Sequence, residues 1–266
     1  MIHLLQKPLL GVPVNWSHPL ARGLVCCWLM NEGGGNKIYD LSGNGNTGSF
    51  YGDTKWTPGK FGSALSFDGT EDYVNVSDSN SLDIGTTNNL TISLWVKVNS
   101  FAVAGGLVSK ATGTGSTALD YRISILTESR FSFYVGAYTY INSYITRNTN
   151  QWYHVVGVWR GSFPIDIYVN GIKDNGTSNG STKNAANTGS LYIGSTYTSS
   201  SSFNGTIDDV MIFNRALTAS EIAQLYREPF AMFDTYPVWW FYIFGEGAGG
   251  QMIFGGQRIL DGGVVR

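Results

Sequence analysis

The chain has 266 residues, 17 Lys and Arg against 19 Asp and Glu, a net charge of -2 and only 14% charged residues beside 14% aromatic ones. That balance argues against an intrinsically disordered chain and against a solvent-laced helical bundle, and it offers no field for gripping a phosphate backbone, so nucleic acid is not an expected partner. No apolar run reaches the ~18 residues of a membrane span, so a membrane is not expected either.

In chain order, residues 1–22 come first and carry Pro8, Pro13 and Pro19 with little periodicity. Proline lacks a backbone donor, so this stretch is expected as an extended arm lying on something else. Its start is apolar too briefly for a signal peptide. Cys26 and Cys27 are neighbours whose side chains would point to opposite faces of a strand. They read as small buried hydrophobes, and a disulfide between them is disfavoured. Runs rich in β-branched and aromatic residues recur at 23–30, 63–67, 73–76, 90–98, 121–126, 130–135, 152–159, 165–170, 190–194 and 206–213, bounded by Gly, Asn, Asp or Ser. This spacing predicts an antiparallel sandwich. Asn170 and Gly171 accept the two positive φ values of a type I′ turn, which predicts a hairpin there. A helix follows late in the chain: Thr218 and Glu221 form a capping box, Ile222, Leu225 and Tyr226 share one face, and Pro229 ends it. Residues 229–266 are expected as a second arm. In it Trp239, Trp240, Phe241, Tyr242, Ile243 and Phe244 form an apolar run that, as a strand, needs covering on both faces, which suits an assembly element.

No catalytic residue is expected. The GxGxxG string at 43–48 has no strand leading into it and no helix after it, so it reads as a polar turn. His3, His18 and His154 lack metal-type spacing, and His154 sits in an apolar strand where a hydrogen-bonding role is the plain one. There is no GxSxG elbow, and the six glutamates never form the paired pattern that glycosidases on lectin-like sandwiches require. Between residues 131 and 147, Phe131, Phe133 and Val135 fall on one alternation and Tyr134, Tyr138, Tyr140 and Tyr144 on the other. With Arg147 as a polar partner, this tyrosine face suits a glycan, whose rings present both apolar faces and hydroxyl edges. The same tyrosines equally suit packing within the second sheet or against a neighbouring subunit.

The blocks GLVCCWLMNE (23–32), DLSGNGNTG (40–48), GSALSFDG (62–69), YVNV (73–76) and TISLWV (91–96) resemble the first half of a laminin G-like domain of the concanavalin A-like lectin/glucanase type. WYHV (152–155), IYVNG (167–171), LYIG (191–194) and FNGTIDDVMIFNRALTASEI (203–222) resemble its second half. The resemblance spans residues 23–228 and implies an all-β fold: an antiparallel jelly-roll sandwich with one short helix, flanked here by arms at 1–22 and 229–266. It also implies a non-catalytic module and, as in many members, a calcium ion held by loops. Asp40, Asp68, Asp72 and Asp208 are the candidate ligands, in blocks whose ends would converge on one sandwich edge. Calcium takes six to eight oxygens, which aspartates and turn carbonyls supply. These aspartates also suit Asx turns and strand-end caps.

Two functions follow as expectations. Flanking arms in place of a catalytic domain point to a structural or adhesive protein that assembles as a homo-oligomer or within a larger virion or surface assembly, as a decoration or fibre-type subunit. Stand-alone proteins of this kind from phages and environmental bacteria are similar, and they suggest a virion location, with an extracellular or cell-surface one as the alternative. The alternative function is a carbohydrate-binding lectin-type module.

Overall fold

The computed structural model describes residues 6–84, 89–113, 119–136, 138–180, 187–198 and 201–233, together with the backbone of 252–254 and 257–259. The chain divides into two units, Met1–Asp234 and Thr235–Arg266. In chain order the first unit contains β1 (Leu24–Trp28), β2 (Lys37–Ile38), β3 (Gly48–Tyr51), β4 (Lys55–Pro58), β5 (Ser63–Asp68), β6 (Tyr73–Val76), β7 (Asn89–Val98) and β8 (Gly105–Ala111). Then come β9 (Leu119–Leu126), β10 (Arg130–Val135), β11 (Thr139–Ser143), β12 (Trp152–Arg160), β13 (Asp166–Val169), β14 (Ile172–Lys173), β15 (Asn175–Asn179), β16 (Leu191–Ile193), β17 (Asn204–Phe213) and the helix α1 (Ala219–Arg227). Of the second unit, the backbone shows a hairpin of β18 (Met252–Phe254) and β19 (Gln257–Ile259). The run from Trp239 to Phe244 lies outside the described residues.

The strands of the first unit form an antiparallel sandwich, as the sequence predicts. One sheet has eight strands in the order β14-β13-β12-β7-β17-β5-β4, with β1 also paired to β17; the other has nine, in the order β15-β11-β10-β9-β8-β16-β6-β3-β2. Period-two alternation explains the core between them. Leu90, Ile92, Leu94, Val96 and Val98 of β7 face Ile123, Ile125, Phe131 and Phe133 of the opposite sheet in one buried cluster. The intervening positions of the eight-stranded sheet are also apolar, because that sheet is covered outside. Val156, Val158, Met211 and Phe213 pack there against Ile222 and Leu225 of α1, Val14, Leu20 and Ala21 of the N-terminal stretch, and Met232 and Phe233. Residue 14 forms a β-bridge with residue 233, so these two stretches lie side by side on the sandwich.

Local predictions hold in detail where short-range chemistry decides. The Thr218 hydroxyl accepts from the Glu221 amide and the Glu221 carboxylate from the Thr218 amide. Asn170 and Gly171 take φ of 53° and 78° between β13 and β14. Cys26 and Cys27 are buried free thiols on opposite faces of β1. Strands β2, β3, β4, β8, β11 and β15 go beyond the sequence reading. In β8 the pair Gly105 and Gly106 reads as a breaker, yet Gly106 belongs in the sheet: a Cβ there would lie 2.4 Å from the Ser195 carbonyl.

Candidate ligand-binding face

In the nine-stranded sheet, Val74, Val76, Tyr121, Ile123, Phe131, Phe133, Leu191 and Ile193 face the core. Alternation therefore sends Asn75, Arg122, Tyr134 and Tyr192 to the outer face. The register lines these residues up. Asn179, Tyr140, Tyr134, Arg122, Ser109, Tyr192, Asn75, Ser49 and Lys37 are successive cross-strand partners from β15 to β2. At about 4.8 Å per strand, such a row spans roughly 38 Å.

Two groups of tyrosines occupy the row. Tyr134 and Tyr140 lie with ring centroids 5.6 Å apart, and the Arg122 guanidinium sits 4.5 Å from the centre of the Tyr134 ring. Further along, Tyr51 stacks on Tyr73 at 4.8 Å, Tyr73 meets Tyr192 edge-on at 5.8 Å, and Tyr192 meets Tyr197 at 5.4 Å. Burial, and then the neighbouring phenol, pushes the Tyr73 and Tyr192 hydroxyls above their usual range, so both remain O–H donors at neutral pH. Burial lowers the Arg122 guanidinium, opposed by its contact with Tyr134.

Four shielded polar atoms of this face have no hydrogen-bond partner: Arg122 Nε, Ser109 Oγ, Ser124 Oγ and Asn75 Oδ1. A hydrogen bond from water or a ligand would relieve each such group of about 1–3 kcal/mol. Stacked rings beside unused donors and acceptors are what a hydroxylated ring requires.

Of the tyrosines expected from sequence, Tyr134 and Tyr140 meet on this face. Tyr138 lies in the turn between β10 and β11 and Tyr144 just past β11, 62% and 70% exposed. Arg147 is placed elsewhere: it pairs with Asp174 and lies over Tyr153, which belongs to β12 of the other sheet. Arg122 is the cation at Tyr134 instead. The sequence reading passed over Arg122, Ser109, Tyr192, Tyr73 and Tyr51, although a polar residue between two apolar ones, as in Leu191-Tyr192-Ile193, is the signal for an outward position.

The four candidate calcium ligands occupy three networks, Asp68 and Asp72 sharing one. Asp40 accepts from the amides of Cys27, Ser42 and Asn46, organising the turn at 40–48. Asp68 accepts from the Thr70 amide, and Asp72 from the amides of Asp53 and Asp68. Asp208 receives Lys7 and the amides of Lys60 and Phe61. Among the described residues no group of three or more His, Cys, Asp or Glu could hold a metal ion. These four residues do not fit a shared calcium site, because their oxygens are already committed to turn amides and a lysine in different parts of the chain.

His154 Nε2 lies 2.8 Å from Ser93 Oγ, a serine–histidine pair on the covered face of the eight-stranded sheet. Burial pushes the imidazole down to about 3, and its Nδ1 has no hydrogen-bond partner. A nucleophile-activating pair needs an accessible base oriented by a third group, so this geometry suits structure rather than proton transfer. On the same side, a cleft of about 510 Å³ is lined by Lys60, Phe61, Trp95, Tyr226 and Arg227. Its rings pack on one another: Trp95 stacks on Tyr226 at 5.6 Å, meets Phe61 edge-on at 5.4 Å and carries Lys60 over its face.

A family model described as "Concanavalin A-like lectin/glucanases superfamily" matches residues 68–223. No curated protein sequence matches. Solved structures do. The binding domain of Paraclostridial Mosquitocidal Protein 1 superposes with a TM-score of 0.64 at 19% identity, over 80% of this chain and 53% of that one. Domain 4 of an extracellular arabinanase from Geobacillus stearothermophilus, in complex with arabinotriose, gives 0.61 at 19% identity over 76% and 98%. Botulinum neurotoxin type C, whose cell entry depends on interaction with two ganglioside molecules, gives 0.60 at 17% over 78% and 51%. The chain spans about half the length of the two toxin chains it matches. At these identities the likeness is one of fold.

Proposed function

The chain belongs to the concanavalin A-like lectin/glucanase superfamily, and from that membership we propose that it is a non-catalytic, lectin-like module that binds a glycan on the outer face of its nine-stranded sheet. The observation that carries this reading is the run of polar atoms without a protein partner, Arg122 Nε, Ser109 Oγ and Ser124 Oγ, set between two tyrosine groups, with Asn75 Oδ1 just past Tyr192. Sugar-binding neighbours, one in complex with arabinotriose and one tied to gangliosides, support it at the level of fold. Tyr134, Tyr140, Tyr73 and the exposed Tyr51 supply ring faces, Tyr192 is buried against Tyr73, and Arg122 supplies a charged donor. A broad glycan array probes the reading: a signal lost in Arg122→Ala and in Tyr134→Ala is expected, and either an empty array or binding indifferent to both substitutions overturns it.

A second reading is assembly, as a subunit of a virion or surface particle. It is favoured by the seven consecutive apolar residues at 238–244, since burying each large ring is worth roughly 2 kcal/mol or more and leaving them in water invites aggregation. Light scattering on the full chain and on residues 1–234 tests it. An oligomer that becomes a monomer on truncation is the expected result; a monomer in both removes the reading.

A further inference from the structure

We propose that Lys7 is a built-in cation: its ammonium fills an oxygen cage of the kind a divalent metal ion takes, and removing the amine opens that cage to calcium. The inference stands apart from the glycan reading. The Lys7 Nζ donates to Asp208 Oδ1 and to the Ser63 carbonyl, and lies 3.5 Å from both the Met30 carbonyl and Asp209 Oδ1. The three side chains are 5%, 0% and 1% exposed for Lys7, Asp208 and Asp209. Two carboxyl groups therefore share one ammonium in a buried place.

Asp209 is the less satisfied of the two. Asp208 is satisfied, its second oxygen accepting the Lys60 and Phe61 amides at 3.0 and 3.3 Å. Both carboxylate oxygens of Asp209 have no hydrogen-bond partner, although the residue is buried and one of them faces Lys7. Asp209 thus presents oxygens that a single ammonium reaches only at 3.5 Å and that a divalent cation could take up.

The backbone builds the cage. Adjacent side chains of a strand point to opposite faces, yet a register shift in β17 between Asp208 and Met211, with Asp209 at φ 47°, brings both carboxylates to the same lysine. Met30, at φ 53°, turns its carbonyl to the same point. The donors are carboxylate and carbonyl oxygens alone, which is the chemistry of a hard divalent cation. Lys7 wins in the native chain because its tether gives it a high local concentration that no free ion shares. The calcium site implied by the resemblance does not assemble from Asp40, Asp68 and Asp72; this cage shares only Asp208 with it.

The test uses the full chain. Thermal melts of the wild type are expected to coincide in calcium chloride and in chelator. Lys7→Met is expected to melt lower in chelator and to gain roughly 5 °C or more once calcium exceeds its Kd about 100-fold. Calorimetry should show one calcium per chain, and the further change Asp209→Asn should abolish the response. A Lys7→Met variant that folds but ignores calcium, or that folds in neither condition, overturns the proposal, as does an equal calcium gain in the wild type. A second measurement leaves the sequence intact: lysine acylation read by mass spectrometry should spare Lys7 while exposed lysines react, and reaction at Lys7 as fast as at the exposed lysines removes the ammonium from the cage.

Discussion

The two outer faces of the sandwich obey the same alternation and end in opposite chemistry. On the eight-stranded sheet the outward positions include Val156, Val158, Met211 and Phe213 beside the Ser93–His154 pair, and the apolar ones lie under α1, the N-terminal stretch and residues 229–233. On the nine-stranded sheet they are Tyr134, Arg122, Ser109, Tyr192 and Asn75, while the described helix α1 lies on the other side of the molecule. Both faces hold polar atoms without a partner, at His154 and Asp209 on the first and at Arg122, Ser109, Ser124 and Asn75 on the second. What separates the faces is covering: one is closed by apolar packing, and no described element closes the other, so the second is the one a ligand can approach.

Acid should reveal the covered face first. His154, held neutral there with its pKa near 3 against an ordinary 6.5, takes up a proton on unfolding but not in the native state below pH 6.5. Stability from this group is therefore fully present above pH 6.5 and lost as pH falls toward 3, a change on the order of 5 kcal/mol at about 1.4 kcal/mol per unit. Urea melts between pH 7 and 4 should show a shallower decline for His154→Gln than for the wild type; parallel curves would mean that the imidazole is not held neutral.

Next in size is Phe213→Ala, which empties a fully buried position of that face and should cost about 3–5 kcal/mol in a denaturant melt. A loss under about 1 kcal/mol would mean the covering layer is dispensable. Thr218→Ala removes the cap of the covering helix and should cost about 1 kcal/mol, visible as a small fall in the melting midpoint. Smallest for stability is Arg122→Gln on the open face: with the contact to the Tyr134 ring to lose, the melt should move by at most about 1 kcal/mol while glycan binding falls at least tenfold. If Arg122→Gln were as damaging to stability as Phe213→Ala, the contrast between the faces would collapse.

Much of this architecture was legible in the residues because its determinants are local. The alternation of Leu90, Ile92, Leu94, Val96 and Val98, the Thr218 and Glu221 pair, and the positive φ at Asn170 and Gly171 each depend on residues within a few positions of one another. The candidate face was half legible. Tyr134 and Tyr140 meet because a short turn joins their strands, and sequence proximity suffices for that. Arg147 looked like their polar partner for the same reason, but β10 pairs on its other side with β9, so Arg122 is the cation that arrives. Tyr192 and Asn75 reach the row only through pairings between strands far apart in the chain, which no local pattern encodes. The aspartates illustrate the same limit: each makes the turn its neighbours require, and whether four turns meet is a property of topology.

The pairing of β1 with β17 has a consequence in time. At about 5–20 residues per second, the ribosome needs roughly 10–40 s after releasing β1 before β17 emerges beside it. Throughout that interval Val25, Cys26, Cys27 and Trp28, all buried in the finished sandwich, have no partner strand on which to lie. The newborn chain must keep that segment from sticking to others for those seconds, so depleting holdase chaperones should lower its yield.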